Sequence, residues 1–102
     1  MRKAKVTINN EKLQISSEIL RALAHPLRMR ILEFIDNHKT INVNKIYNTL
    51  KLEQSITSQH LRILRLAGVV ITSREGKFIH YSIDYSKVNN VLKSVDSFLG
   101  LD

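Results

Sequence analysis

The sequence predicts a mainly α-helical domain of the α+β class, in which four helices precede a two-stranded β-hairpin and a fifth helix ends the chain. Two observations support this prediction. Apolar residues recur at intervals of three and four on either side of residues 69–83, which is the period of an amphipathic helix. Between these segments, VVITSR and FIHYSI are rich in β-branched and aromatic residues and flank a short segment with a glycine, as β-hairpins do.

The first two helices are separated by His25-Pro26. The first helix is predicted from Leu13 onward, and its apolar face comprises Ile15, Ile19, Ala22 and Leu23. Proline suits the first turn of the next helix, because its missing N–H would have no partner there, and His25 is expected to help cap a helix. The second helix is predicted to end near residues 37–39, and its buried face comprises Leu27, Ile31, Phe34 and Ile35.

The third helix follows Asn42, a good N-cap residue, and a tight connection over residues 51–53 leads to the fourth. The apolar stripe of the third helix comprises Val43, Ile46, Tyr47 and Leu50. In the fourth helix Ser55 is predicted to cap the N-terminus. The residues predicted to point inward from this helix are Ile56, Leu61, Leu64 and Ala67.

The hairpin and the last helix complete the chain. In the second strand, Ile79, Tyr81 and Ile83 are predicted on one side, and Phe78, His80 and Ser82 on the other. The apolar stripe of the last helix comprises Val88, Val91, Leu92, Val95, Phe98 and Leu99. This stripe could pack on its own domain or, together with the first helix, form a dimer interface.

Composition narrows the class of protein. Sixteen Lys and Arg against nine Asp and Glu give a net charge of +7, which favours a polyanionic partner. The absence of cysteine excludes disulfides and thiolate metal sites. No apolar run is long enough for a membrane span or a signal peptide, so we expect a cytoplasmic protein. The length of 102 residues predicts one domain over residues 1–102, with a basic N-terminal arm at residues 1–10.

Two helices joined by a short turn, the second with a polar outer face, describe a helix-turn-helix, and a basic hairpin directly after it describes a wing. Gln and Arg side chains can pair with bases in the major groove, while Ser and Thr hydroxyls can reach bases or phosphates. The residues that this pattern predicts to contact double-stranded DNA are Thr57, Ser58, Gln59, Arg62, Arg65, Arg74 and Lys77.

Three segments in this order, LRALAHPLRMRILEFI, LKLEQSITSQHLRILRLAGVV and REGKFIHYSID, resemble the ArsR/SmtB family of bacterial winged-helix repressors. The resemblance runs from about Leu20 to the end of the chain. It implies a homodimer joined through the first and last helices, with two recognition helices on a palindromic operator. It also implies DNA contacts at Gln54, Ser55, Ser58 and Gln59 and at the wing tip.

The sequence departs from this family at its sensor positions. One sensor type of the family has cysteines on the third helix, where this chain has INVNK at residues 41–45. A second type has Asp and His ligands along the last helix, where the matching positions are Tyr85, Lys87, Phe98 and Leu101. Zinc binds Cys, His or carboxylate, so neither site is expected here. We predict no metal site and no cofactor, and the inducing signal stays open.

The four histidines, His25, His38, His60 and His80, are spread over different elements. We expect no metal site from them, but any of them could make DNA binding pH-dependent. Rival functions remain. An enzyme is not expected, because the sequence has no nucleophile–base arrangement or phosphate-binding glycine loop. A winged-helix module for protein contact, and a protein that coats DNA without reading its sequence, are the alternatives to a sequence-specific regulator.

Overall fold

The computed structural model describes residues 6–101, so Arg2, Lys3 and Lys5 of the predicted basic arm lie outside the described residues. Within that range five helices and three strands follow one another. They are α1 (Asn10–Leu23), α2 (Pro26–His38), β1 (Thr40–Asn42), α3 (Val43–Leu50), α4 (Gln54–Leu66), β2 (Val70–Glu75), β3 (Phe78–Ile83) and α5 (Tyr85–Leu99). The predicted order of helices and hairpin is therefore present, with one strand added between the second and third helices.

The ends of the first two helices follow from their capping residues. Helix α1 begins at Asn10, three residues earlier than predicted, because the side chain of Asn9 accepts a hydrogen bond from the Lys12 N–H at 3.0 Å. The predicted arm at residues 1–10 therefore overlaps the start of this helix. The capping role predicted for His25 is confirmed, since its Nδ1 accepts from the Leu27 N–H at 3.1 Å and Pro26 opens α2.

The sequence did not predict strand β1. The predicted two-stranded hairpin is therefore corrected to a three-stranded sheet. Strand β1 pairs antiparallel with β3, with Ile41 opposite Tyr81 and Asn42 opposite His80, so the sheet has the order β1-β3-β2. Three residues are too short to show a period, and the strand exists through its pairing with β3. The N-cap predicted at Asn42 is confirmed, because its side chain accepts from the Lys45 N–H at 2.9 Å.

The hairpin of β2 and β3, which we call the wing, turns at Gly76-Lys77. Glu75 and Phe78 are directly opposed, so the loop between the strands has two residues. Gly76 has a φ of +63° and Lys77 does not have a positive φ, as in a type II′ turn with glycine at its first central position. The predicted strand FIHYSI is confirmed at residues 78–83, and β2 lies one residue later than predicted.

The core lies between α2, α3, α4 and the inner face of the sheet. Its buried members are Ile31, Ile35, Ile41, Ile46, Leu61, Leu64, Val69 and Val70. Helix α4 ends in a Schellman motif: the Val69 N–H donates to the Leu64 carbonyl at 3.2 Å, and the Gly68 N–H donates to Arg65 at 3.0 Å. Gly68 adopts a φ of +80° there, which directs the chain from α4 into β2.

Helix α5 contributes little to this core. None of its residues, all within the described part of the chain, is fully buried, although its predicted apolar stripe is present. The N-terminal end of α5 is tied to the rest of the chain by the hydrogen bond of Tyr85 to Asp36 and by Val88, which packs on the core. No helix in residues 6–101 has the length and apolar character needed to span a membrane.

Candidate nucleic-acid interface

Helix α4 packs against α3 after a connection that begins with Lys51 in the left-handed conformation, with a φ of +58°. The N-cap of α4 is Glu53, so the prediction that Ser55 caps this helix is wrong. Ser55 lies in the first turn, and its hydroxyl donates to the Glu53 carboxylate at 3.4 Å. The helix therefore opens with Gln54 and Ser55 at its exposed N-terminal end, where the helix dipole favours an approaching phosphate.

The inner face of α4 is formed by Thr57, Leu61 and Leu64, which are fully buried. The expectation that Thr57 lies on the outer face is therefore wrong, and so is the inward position expected for Ile56, which is 41% exposed. The Thr57 hydroxyl donates to the Glu53 carbonyl at 2.8 Å, one turn earlier, which satisfies its polar atom inside the core. The spacing of residues 57, 61 and 64 is the apolar period of this helix, with threonine at its first position.

The outer face of α4 is polar and cationic. Its exposed residues at the predicted positions are Gln54, Ser55, Ser58, Gln59, Arg62 and Arg65. They recur every three to four residues, so they lie in one strip that faces away from the core. Amide, hydroxyl and guanidinium groups in such a strip provide the donors and acceptors that pair with base edges and phosphates.

The wing places its two predicted cations at the far end of the hairpin. Arg74 is exposed in the penultimate position of β2, and Lys77 is exposed in the turn. The Lys77 ammonium lies 5.6 Å from the centre of the Phe78 ring. At the root of the same hairpin, the sheet continues into β1 and so into the start of α3. The wing is therefore connected through β1 to α3, and α3 packs against the helix that bears the polar strip.

Two histidines meet beside the middle of α4. The centres of the His25 and His60 rings lie 4.9 Å apart, and the Arg28 guanidinium contacts Nδ1 of His60 at 3.3 Å. Burial lowers the pKa of His60 from its ordinary value, and the nearby His25 and Arg28 lower it further. Among residues 6–101, no three His, Asp or Glu side chains come together as a metal site would require.

Arg28 is a residue that sequence reasoning missed. It joins α1, α2 and α4, and its partners in the chain are six to 32 positions away. Periodicity reports which face of a helix is apolar and carries no information about such a contact. His60 is half-buried in this cluster, where its Nδ1 contacts Arg28.

A helix-turn-helix followed by a β-hairpin wing defines a winged-helix DNA-binding regulator. Residues 25–72 match the family described as bacterial regulatory protein, arsR family. The chain belongs to this family, and the resemblance seen in the sequence is confirmed.

Three comparisons support the assignment. The transcriptional repressor PagR of Bacillus anthracis is 41% identical over 81 residues, which are 79% of this chain and 81% of PagR. The crystal structure of PagR superposes with a TM-score of 0.69 at 38% identity, covering 85% of this chain and 99% of that one. The crystal structure of NolR from Sinorhizobium fredii has a TM-score of 0.73 at 30% identity, over 95% of this chain and 99% of that one. PagR carries the name of a transcriptional repressor rather than of an enzyme.

Proposed function

We propose that this protein is a dimeric, sequence-specific regulator that acts as a repressor by occupying a palindromic promoter operator. Helix α4 reads bases in the major groove, and the wing contacts the neighbouring backbone. The observation that carries this proposal is the exposed strip of Gln54, Ser55, Ser58, Gln59 and Arg62 on a helix whose opposite face is buried. PagR, which is similar to this chain, is named a transcriptional repressor, and this supports the direction of control.

The strip favours sequence reading over simple coating of DNA. A protein held by charge alone needs only Lys and Arg near phosphates, and its affinity disappears as salt rises. Here uncharged amides and hydroxyls occupy the first two turns of α4 and the arginines follow them, and glutamine can pair with both hydrogen-bonding atoms of adenine in the major groove. A module for protein contact is less well supported, because such a surface is expected to be apolar or acidic.

The dimer is supported by the apolar residues that α1 and α5 leave uncovered. An open groove of about 430 Å³ between these helices is lined by Ile19, Leu20, Val91, Val95 and Phe98, among others. Phe98 is 88% exposed, and Leu92, nearer the N-terminus of α5, is 53% exposed. A contiguous apolar surface of this kind marks an interaction site. A second copy of the chain would cover both helices, and a two-fold axis would set two copies of α4 about 34 Å apart, one turn of DNA.

Control of this regulator does not use the Cys or Asp/His metal sites known in its family. The third helix begins Val43-Asn44-Lys45, and α5 carries Tyr85, Lys87 and Phe98 at the positions matched to ligands. These side chains lack the thiolate, imidazole or carboxylate groups that zinc prefers.

The experiment that tests the proposal is fluorescence anisotropy with duplex DNA from upstream of the protein's own gene, compared with a scrambled duplex of equal length over a salt series. Tighter binding to the upstream DNA that survives moderate salt is expected. Equal binding that vanishes with salt would identify coating of DNA by charge. No binding at low salt would exclude the proposed DNA-binding function and favour the alternative, a winged-helix module for protein contact.

A further inference from the structure

The side chain of Arg28 connects three helices at one point. Its Nε donates to the Ala22 carbonyl at 2.7 Å, and one terminal nitrogen donates to the Arg21 carbonyl at 3.2 Å. Both carbonyls belong to the last turn of α1, where helical acceptors have no partner within the helix. The other terminal nitrogen reaches Nδ1 of His60 at 3.3 Å. One rigid, planar guanidinium on α2 therefore bridges the end of α1 and the middle of α4.

The donors of this cluster fix the proton on each histidine. Arginine has donors only, so Nδ1 of His60 must accept, and the ring must be neutral with its proton on Nε2. His25 meets the same requirement, because its Nδ1 accepts from the Leu27 N–H as the cap of α2. His38 differs, since its Nδ1 lies 2.8 Å from the Phe34 carbonyl and must donate to it. A proton added to His25 or His60 breaks a contact, whereas a proton added to His38 does not.

The surroundings of His60 oppose a positive charge. Burial of the ring lowers the pKa of His60 from its ordinary value of 6.5, and the titratable and charged groups that face it, His25 and Arg28, lower it further. Glu18, Arg21 and Lys87 line, together with Arg28, an open pocket next to this cluster. Protonation of His60 converts its acceptor into a donor and places one cation directly against another.

We propose that Arg28 is a positioning residue for α4, and that the cluster of His25, Arg28 and His60 holds α4 in its DNA-reading orientation only while both rings are neutral. The proposal rests on the DNA-binding function proposed above. It predicts a pH dependence of DNA affinity opposite in direction to that of a histidine in contact with phosphate. A histidine that simply meets phosphate strengthens DNA binding when it is protonated, whereas this cluster weakens DNA binding as the pH falls.

The first test uses the free protein, so it stands or falls independently of any DNA. Nitrogen-15 NMR of the histidine rings at pH 7.5 should show protons on Nε2 in His25 and His60, and on Nδ1 in His38. On lowering the pH, backbone amides of residues 54–62 should shift with the midpoint of the His60 titration. In the His60→Asn variant the amide oxygen can accept from Arg28 without titrating, so these shifts should disappear, while the His38→Asn control keeps them. A proton on Nδ1 of His60, or amides of α4 that ignore its titration, would overturn the proposal.

The second test measures affinity for the upstream duplex by anisotropy, from pH 7.5 to 5.5 at constant ionic strength. The wild type should lose about 3- to 10-fold in affinity, the factor that corresponds to one net hydrogen bond. The His60→Asn variant should lose much less. At pH 7.5, Arg28→Lys should weaken binding by a similar factor, because lysine keeps the charge but its single ammonium nitrogen cannot span acceptors that lie around three different guanidinium nitrogens. The matched control is Arg30→Lys on the same helix, whose side chain donates to the Leu50 carbonyl of α3 at 3.4 Å.

Affinity that rises equally in the wild type and the His60→Asn variant as the pH falls would show simple charge attraction and would refute the pH-dependent part. Equal effects of Arg28→Lys and Arg30→Lys would refute the positioning role. If no duplex bound at any pH, the proposed DNA function would fail, and the NMR experiment would still decide whether the cluster positions α4.

Discussion

The hydroxyl of Tyr85 donates to the Asp36 carboxylate at 2.6 Å, which ties the first residue of α5 to the C-terminal part of α2. Helix α5 has no fully buried residue among residues 85–99, so this contact and Val88 hold its N-terminal end against the rest of the chain. The hydrogen bond to Asp36, burial and the carboxylate charge raise the pKa of Tyr85 from its ordinary value of 10.0.

This raised pKa gives a pH dependence with a definite sign. The folded pKa lies above the unfolded one, so the stabilisation is complete below pH 10 and is lost as the pH rises through the folded value. Tyr85→Phe should therefore lower the Tm at pH 7, and the difference from the wild type should shrink above pH 10. Asp36→Asn keeps an acceptor and should cost less. Thermal unfolding at matched protein concentration measures this, and a difference that persists unchanged at high pH would exclude the bond as its source.

Stability should also depend on pH through His60, with the opposite sign. Its folded pKa is lowered, so its contribution is present above pH 6.5 and is lost as the pH falls through the folded value. Denaturant unfolding should therefore give similar free energies of unfolding for the wild type and the His60→Asn variant above pH 6.5, and the two should diverge below it, because only the wild type loses stability there. Parallel curves over the whole range would contradict the lowered pKa.

Thr57 and Ser58 are adjacent, and they should separate stability from DNA binding. Thr57→Val keeps the buried shape, so it should change stability by no more than about 1.5 kcal/mol and leave DNA affinity within twofold. Ser58→Ala, at an exposed position, should change stability by less than about 0.5 kcal/mol and weaken DNA binding. Chemical unfolding and anisotropy provide the two measurements. The reverse result would mean that Thr57, and not Ser58, faces the DNA.

Gln59 and Lys77 should affect DNA binding in different ways. Gln59→Ala should cost about 1–3 kcal/mol on the preferred duplex and relax the preference at one base pair. Lys77→Ala should weaken binding to every duplex about equally and reduce the salt dependence by about one phosphate contact. Anisotropy on a set of single-base variants, repeated over a salt series, distinguishes the two effects. If neither change altered binding, the proposed interface would be wrong.

Phe98 should control assembly. Phe98→Glu places a charge in the apolar groove between α1 and α5 and should convert the dimer to a monomer in sedimentation velocity. Affinity for a complete palindrome should then fall towards that for a half-site. The matched control is Ile71→Glu, a change at an exposed apolar residue of β2 outside this groove, which should leave the dimer intact. A wild-type protein that sediments as a monomer would contradict the proposed interface.

The helices could be predicted from the sequence because each one shows several turns of a consistent apolar period. The caps at His25 and Asn42 could be predicted for a local reason: each side chain bonds an N–H two or three residues away. Strand β1 could not, because it is stabilised by residues about 40 positions further along the chain.

The outer strip of α4 was predicted with one error, and the error has a physical cause. Threonine has both a methyl group and a hydroxyl, and residue type alone does not show whether such a side chain is buried in the core or exposed to solvent. In Thr57 the hydroxyl finds an acceptor within its own helix, so the side chain can occupy a core position. Whether the exposed residues of the strip contact DNA stays a prediction.

Asn42 ends β1 and caps α3 at the same time. The strand that pairs with β3 of the wing therefore shares a residue with the start of the helix-turn-helix, so neither the wing nor α3 can move far without the other. We expect this arrangement to fix the distance between α4 and the wing tip. If one base pair were inserted between the bases proposed to contact α4 and the backbone proposed to contact the wing, the protein would lose one of the two contacts, because it could not stretch to keep both. The operator's tolerance for altered spacing would then be set by the stiffness of DNA and not by flexibility of the protein.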